Sequence, residues 1–217
     1  MSWDVFDRYA KRYDAWFRGE PGRTIFPSEV AAVRLLLRRL PPPTLEVGAG
    51  TGAFAAALGL TLGVDPASGA LRIARARGVP AVQARGEALP FRESVFGAVL
   101  LIATLCFAEE PLALLREAVR VLKPKGGVIV ADILKDSPWG RFYLQKKAEG
   151  HTFYRQATFY TLDELRRMLE EVGLRIVASS STLVQRPGHN PKPEEALDGI
   201  APGAGFVCLL ARQQHDS

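Results

Sequence analysis

Most of what this chain can become is settled by the run Thr44-Leu45-Glu46-Val47-Gly48-Ala49-Gly50-Thr51-Gly52. A short β-forming segment meets alternating glycines and then the helix-forming stretch 53–58. Glycine lets the backbone turn sharply and lets a ligand approach it, but each one gives up stability, so three in alternation argue for something cradled over the loop. A strand that leaves through such a loop into a helix is also the repeating unit of a parallel α/β sheet. From residue 45 onward, Val/Ile/Leu-rich runs do alternate with helix-period segments. The pattern predicts strands at 44–47, 61–64, 80–83, 95–102 and 128–133, with helices at 53–58, 68–77 and 112–122. The Lys125-Gly126-Gly127 turn is expected to end the last of these helices. A helix at 162–172 and strands at 175–181 and 205–211 follow, the last two close enough to pair antiparallel.

Ahead of the first strand, Phe6, Ala10, Tyr13, Trp16 and Phe17 recur at helical spacing, and a second helix is expected at 28–40 before Pro41-Pro42-Pro43 stops it. Between residues 135 and 160 lies an insertion dense in aromatic and basic residues, beginning just past a strand's carboxyl end. The expectation is one domain over 1–217, with a helical lid at 1–26 and the insertion at 135–160 on the substrate side.

Composition narrows the classes. The 217 residues are 47% hydrophobic and 24% charged, which excludes disordered and fibrous chains. The longest near-apolar run, 95–108, is too short to span a membrane and reads as a buried strand. The amino terminus lacks the pattern of a signal peptide, so a cytoplasmic location and no membrane partner are expected. Cys106 and Cys208 sit in apolar stretches, against a disulfide scaffold or a cysteine metal cluster, and no metal is expected. The net charge of +5 is spread along the chain. Without a basic run, and with Arg34, Arg38 and Arg39 read as a solvated helix face, no nucleic-acid partner is expected.

Two ligand classes fit the glycine loop. Residues 48–53 satisfy the dinucleotide fingerprint, with Asp65 where a ribose-binding acid belongs, so an NAD-dependent oxidoreductase is one reading. Glu46 favours the other. A carboxylate at the strand's end would repel a pyrophosphate and would hold an ammonium group, which S-adenosylmethionine carries.

With Leu45-Glu46-Val47-Gly48-Ala49-Gly50-Thr51-Gly52, Gly63-Val64-Asp65-Pro66, Gly86-Glu87-Ala88-Leu89-Pro90-Phe91 followed by Ser94-Val95-Phe96, and Leu122-Lys123-Pro124-Lys125-Gly126-Gly127, the chain resembles the class I S-adenosylmethionine-dependent methyltransferases, in their ubiquinone/menaquinone-biosynthesis-like branch. The likeness extends over about residues 6–174. It implies an α/β Rossmann-like, seven-stranded, mostly parallel sheet with an antiparallel last strand, helices on both faces and an amino-terminal helical lid. S-adenosylmethionine is the implied cofactor and S-adenosylhomocysteine its product.

The resemblance puts Glu46, Gly48, Ala49 and Gly50 around the methionine moiety, Asp65 on the ribose and Pro66 beside the adenine. Gly86, Glu87 and Ala88 would line the adenine edge, and Ala103 and Thr104 would border the sulfonium. Where the family often has Asp or Asn for the adenine amino group, this chain has Arg85. Tyr13 and Asp14 look like the family's lid motif, so Tyr9, Tyr13 and Arg23 are candidates to close over the cofactor.

Methyl transfer is an in-line displacement in which alignment and a dry pocket matter most, so a catalytic base is optional. His151 and Tyr154 are the candidates, either able to deprotonate a phenol, amine or thiol. His189 and His215 carry no signal. Neither the Asn/Asp-Pro-Pro-aromatic motif nor the Pro-Cys nucleophile of the base-modifying subclasses follows the fourth strand. A small-molecule acceptor is therefore favoured over RNA or protein. Trp139, Phe142 and Tyr154 are expected to line its pocket, with Arg141, Lys146 and Arg155 suited to an acidic or polar group on it.

Overall fold

The computed structural model describes residues 3–188 and 190–214, so His189 and His215 lie outside the described residues. Its sheet contains β1 (Thr44–Val47), β2 (Leu62–Asp65), β3 (Ala81–Gln83), β4 (Phe96–Ile102), β5 (Leu122–Ile133), β6 (Leu174–Thr182), β7 (Leu197–Asp198) and β8 (Phe206–Gln213), in the spatial order 3-2-1-4-5-8-6-7. The pairs joining β1 to β5 are parallel, whereas β8 runs antiparallel between β5 and β6. That is the expected arrangement with one addition, the two-residue β7 on the edge of β6.

Side chains alternate across the central strands and build two cores. Leu45, Val47, Val99, Leu101, Val128 and Val130 face α6 (Pro111–Val121) and α8 (Leu162–Glu171). Ala98, Leu100, Ile102, Ile129 and Ala131 face α3 (Gly22–Leu37) and α4 (Ala53–Leu58). Both faces are covered, so the strands read as continuous apolar runs. The reversal of strand order at β1 and β4 opens a crevice beyond their carboxyl ends, where open α/β sheets bind ligands.

Four elements differ from the expectation. Residues 125–127 do not form the turn that ends α6: the helix stops at Val121 and β5 begins at once, its pairing with β4 shifting register between Phe96 and Ala98. The two glycines serve close approach instead, since a Cβ on Gly127 would lie 2.6 Å from a Leu210 methyl. The amino-terminal segment breaks into α1 (Asp4–Arg8) and α2 (Ala10–Trp16), and α3 begins at Gly22, ahead of the predicted start. The insertion holds a helix of its own, α7 (Pro138–Ala148), capped by Ser137, whose hydroxyl accepts the Gly140 N–H.

The lid is tied to the helix after β2 and to the glycine loop by two acids. Asp7 caps α5 (Ser68–Ala76), taking the Gly69 N–H at 2.5 Å. Asp14, 3% exposed, pairs with Arg77 at 2.8 Å, while Arg77 also donates to the Thr51 carbonyl in the glycine loop. Among the described residues no helix is long and apolar enough to cross a membrane.

Candidate active site

The glycine loop is shaped by contacts that only glycine allows. Gly48 and Gly50 have φ of +77° and +54°. A Cβ on Gly48 would lie 2.4 Å from Thr104 Oγ1, so the loop lies directly against the end of β4. Thr104 donates its hydroxyl within reach of the Val47 and Ile102 carbonyls, each at 3.0 Å. Ala103 beside it has φ of +47°, a conformation an alanine holds at a cost of order 1 kcal/mol, and such strain gathers at functional sites.

Asp65 at the end of β2 braces the loop from the other side. Its carboxylate accepts the Gly50 and Ala67 N–H groups, each at 2.8 Å. Burial pushes its pKa up to about 6, against the pull of those two donors. Glu46 is 2% exposed beneath the loop, on the α3/α4 face of β1. Burial, and then the charge of Asp65, drive its carboxyl well above the ordinary range, with the Ala55 N–H opposing. Glu46 Oε2 has no hydrogen-bond partner among the described residues.

The cleft above this frame is lined by Trp3, Phe6 and Tyr13 from the lid, by Gly48, Gly50, Asp65 and Pro66, by residues 85–87, and by Ala103, Thr104 and Phe107. Arg85 projects into its wall and reaches Glu87 at 3.4 Å and Glu109 at 3.3 Å.

A second chamber adjoins the first, sharing Tyr13, Ala103 and Phe107 with it. It measures about 440 Å³ and runs under the lid to the insertion, walled by Trp16, Phe17, Phe142, Tyr143, Phe153 and Tyr154. Phe6 stacks on Phe153 with centroids 5.4 Å apart, and Tyr13 meets the same ring edge-on at 5.5 Å, so lid and insertion close the chamber together. Its deep wall carries Glu29 and Asp132.

A model of the methyltransferase domain family matches residues 45–130. An uncharacterized protein of Mycobacterium tuberculosis is 45% identical over 95% of this chain and 73% of its own length. One from Methanocaldococcus jannaschii is 36% identical over 97% of this chain and 99% of its own. A crystal structure from Thermotoga maritima, a SAM-dependent methyltransferase named as a possible histamine N-methyltransferase, superposes with a TM-score of 0.89 at 32% identity, covering 98% of this chain and 100% of that one. The chain belongs to the class I S-adenosylmethionine-dependent methyltransferases. It is an enzyme whose cofactor is S-adenosylmethionine and whose cofactor product is S-adenosylhomocysteine.

The chain's own residues fit that cofactor. A partnerless, buried Glu46 oxygen beneath the loop and a loop closed to any side chain at Gly48 suit a ligand with an ammonium group laid over the backbone. Of the residues expected to hold it, the methyltransferase brings Tyr13, Gly48, Gly50, Asp65, Pro66, Gly86, Glu87, Ala103 and Thr104 to one cleft. Others lie off its surface. Tyr9 is 39% exposed and faces outward by α5. Arg23 is exposed and pairs with Glu20 at 2.8 Å. Ala49 is buried against β2, where a Cβ on Gly63 would meet its methyl at 2.8 Å. Ala88 points to solvent, and Glu46 is sealed under the loop.

Both base candidates line the second chamber of the methyltransferase, His151 stacked on Tyr154 with centroids 4.7 Å apart. Burial, then the charges of Arg12 and Lys146, lower the His151 pKa, so its imidazole is neutral at pH 7. Burial raises the Tyr154 phenol. Trp139 is not in the chamber wall: it is 1% exposed, donates its indole N–H to the Gln185 carbonyl at 2.7 Å and packs on Gly205. Arg141 is exposed, donating to the Asp136 carbonyl, and Arg155 lies exposed on the far side of the insertion; of the three cations only Lys146 reaches the chamber. Sequence reasoning missed Glu29, Asp132, Phe6 and Phe107. The first two had a signal, as lone acids on an apolar helix stripe and in an apolar strand.

Proposed function

We propose that the methyltransferase acts in the cytoplasm on a small organic acceptor that enters the second chamber and meets the cofactor at the boundary made by Tyr13, Ala103 and Phe107. The observation that carries this is the chamber itself, contiguous with the cofactor cleft, roofed by the lid and about 440 Å³ in volume. That is within the range of small-molecule sites, roughly 300–1,000 Å³. The name of the Thermotoga neighbour, with histamine as the suggested acceptor, agrees with an acceptor of this size.

In this reading Glu46 acts on the amino group of the cofactor from beneath the loop, off the cleft surface, while Asp65 meets its ribose hydroxyls and the backbone at 86–88 with Pro66 its adenine. S-adenosylmethionine, when bound, supplies a methyl group already activated by sulfonium charge. What remains for the protein is alignment and dryness. Ala103, with Tyr13 and Phe107, marks where the two cavities meet, and the aromatic walls exclude water from the approaching acceptor. His151, neutral and facing the chamber, is placed to take a proton from an acceptor that must lose one.

The test is transfer of labelled methyl from S-adenosylmethionine to a mixed metabolite extract, read by mass spectrometry, beside parallel reactions with total RNA and with protein. Label confined to small metabolites is expected. Label recovered only in the macromolecular fractions would defeat the proposal.

A further inference from the structure

The chamber that we read as the acceptor's seat has an asymmetric charge pattern. At its rim the cations are already engaged: Lys146 Nζ lies 3.4 Å from Glu149 and 5.5 Å from the Phe142 ring centroid, and Arg12 sits 5.9 Å over Phe153. Its deep wall holds acids. Glu29, on the buried stripe of α3, is 7% exposed, and Tyr13, Tyr143 and Tyr154 all lie within its electrostatic reach. Asp132, at the end of β5, is 4% exposed. One of its oxygens accepts the Ile133 N–H at 2.9 Å, and the Cys106 thiol lies against the carboxyl, yet Oδ2 has no hydrogen-bond partner.

A packed core does not keep two such groups without reason. A buried carboxyl with an unsatisfied oxygen, as at Asp132, costs the fold more than an apolar residue of the same shape would. Asp132 sits in a strand whose other residues from 128 to 131 are apolar, and Glu29 is on a helix face otherwise made of Ile25, Ala32, Val33 and Leu36. Burial leaves Glu29 at about 8 and Asp132 at about 7, so both are poised to ionise once a positive charge comes near. Carboxyls behind tyrosine and phenylalanine faces also match the chemistry that recognises an ammonium group, which is attracted to ring faces and paired by a carboxylate.

We infer that the chamber selects an organic cation, a small amine with an apolar body, whose ammonium group is drawn to Glu29 and Asp132 while the body lies among Phe142, Phe153 and Tyr154. This rests on the reading of the chamber as the acceptor site, and it names the acceptor's class. The basic residues of the insertion then mark only the rim, and the discrimination is made at the acidic wall.

Three probes of one shape and different charge test it: phenethylamine, 2-phenylethanol and 3-phenylpropionate, titrated calorimetrically into the full chain saturated with S-adenosylhomocysteine. Phenethylamine is expected to bind at least about tenfold more tightly than the alcohol, with the carboxylate weakest. Glu29→Gln and Asp132→Asn, which keep shape and remove charge, are each expected to cut the amine's advantage severalfold while leaving S-adenosylhomocysteine affinity unchanged. Equal binding of alcohol and amine, a preference that survives in both variants, or failure of phenethylamine and of a short aliphatic amine to bind would each overturn the inference. The two readings fail separately. Cofactor binding and methyl transfer to a neutral metabolite, without cation preference, would sink this one alone. Cation preference with methyl found only in RNA or protein would sink the small-acceptor reading.

Discussion

Asp65 is held by two backbone N–H groups, from the glycine loop and from the start of α5, so it braces the loop, and in the proposed reading it also meets the cofactor's ribose. Asp65→Ala is expected to weaken S-adenosylhomocysteine binding by about 1.5–3 kcal/mol, the range for hydrogen bonds to a charged group. Calorimetry beside circular dichroism checks it, and unchanged affinity with an intact fold would remove Asp65 from the site. Glu46 has a sharper signature. If its partnerless oxygen meets the cofactor's amino group, Glu46→Gln should weaken S-adenosylhomocysteine more than methylthioadenosine, which lacks the amino acid portion; equal losses would show that the carboxyl acts only on the loop. The buried acids also set a pH dependence. Glu29, Asp132 and Asp65 have native pKa values of about 8, 7 and 6, all above their unfolded values near 4. At these three groups the native state binds protons more tightly, so their contribution to stability falls as pH rises from about 4 toward 8. Thermal melts of the free enzyme between roughly pH 5 and 8 should show this decline, and Glu29→Gln should flatten its upper part; a melting temperature that rises over that range contradicts the assignment. Glu46 and Asp65 stood out in the sequence because an acid at a strand's end beside glycines has few structural uses. Glu29 and Asp132 did not, since nothing local shows that residues 103 positions apart in the chain share one cavity.

At the scale of elements, the strands were legible because burial on both faces leaves an unbroken Val/Ile/Leu signal, and α8 because Thr161 and Glu164 form a reciprocal capping box. The elements that were missed depend on distant partners. The Lys125-Gly126-Gly127 segment has turn composition, but the neighbouring strand and Leu210 recruit it into β5. The insertion's aromatic and basic composition hid the helix α7, whose cap is a single serine. That helix divides its aromatics between two tasks, and substitution separates them. Trp139 is core, so Trp139→Ala is expected to cost about 3–5 kcal/mol of stability and to lower the melting temperature sharply. Phe142 faces the chamber, so Phe142→Ala should raise the acceptor Michaelis constant while S-adenosylhomocysteine affinity stays within about twofold, or roughly 0.4 kcal/mol. A melting temperature unchanged in the Trp139 variant, or a loss of cofactor affinity in the Phe142 variant, would show that this division of α7 is mistaken.

For the whole molecule, the parallel sheet covered by helices on both faces and the antiparallel pairing of its last long strands were legible in the sequence, because alternating strands and helices admit few topologies, whereas the strand order 3-2-1-4-5-8-6-7 was seen only in the fold. The meeting of the lid with the insertion was not legible in the sequence either, since residues 6 and 153 are 147 positions apart in the chain and only the folded sheet brings them together. That meeting is expected to couple the two cavities. Phe6 lines the cleft over the glycine loop, its ring centroid 4.8 Å from that of Phe107 and 5.4 Å from that of Phe153, while Phe153 lines the second chamber and is 8% exposed. A ligand in the cleft that steadied the lid would also steady one wall of the chamber, and by linkage an occupied chamber would then favour the cofactor by the same factor. Phe153→Ala removes the ring on which Phe6 and Tyr13 both rest. It is expected to weaken S-adenosylhomocysteine and to raise the acceptor Michaelis constant together, in contrast to the selective effect at Phe142. In the parent enzyme, hydrogen exchange of residues 3–16 should slow when S-adenosylhomocysteine binds, and that protection should extend to residues 151–157; in the Phe153 variant it should stop at the lid. Protection that spreads equally in both proteins, or cofactor affinity untouched by the substitution, would mean that lid and insertion close independently and that the two cavities are adjacent without being coupled.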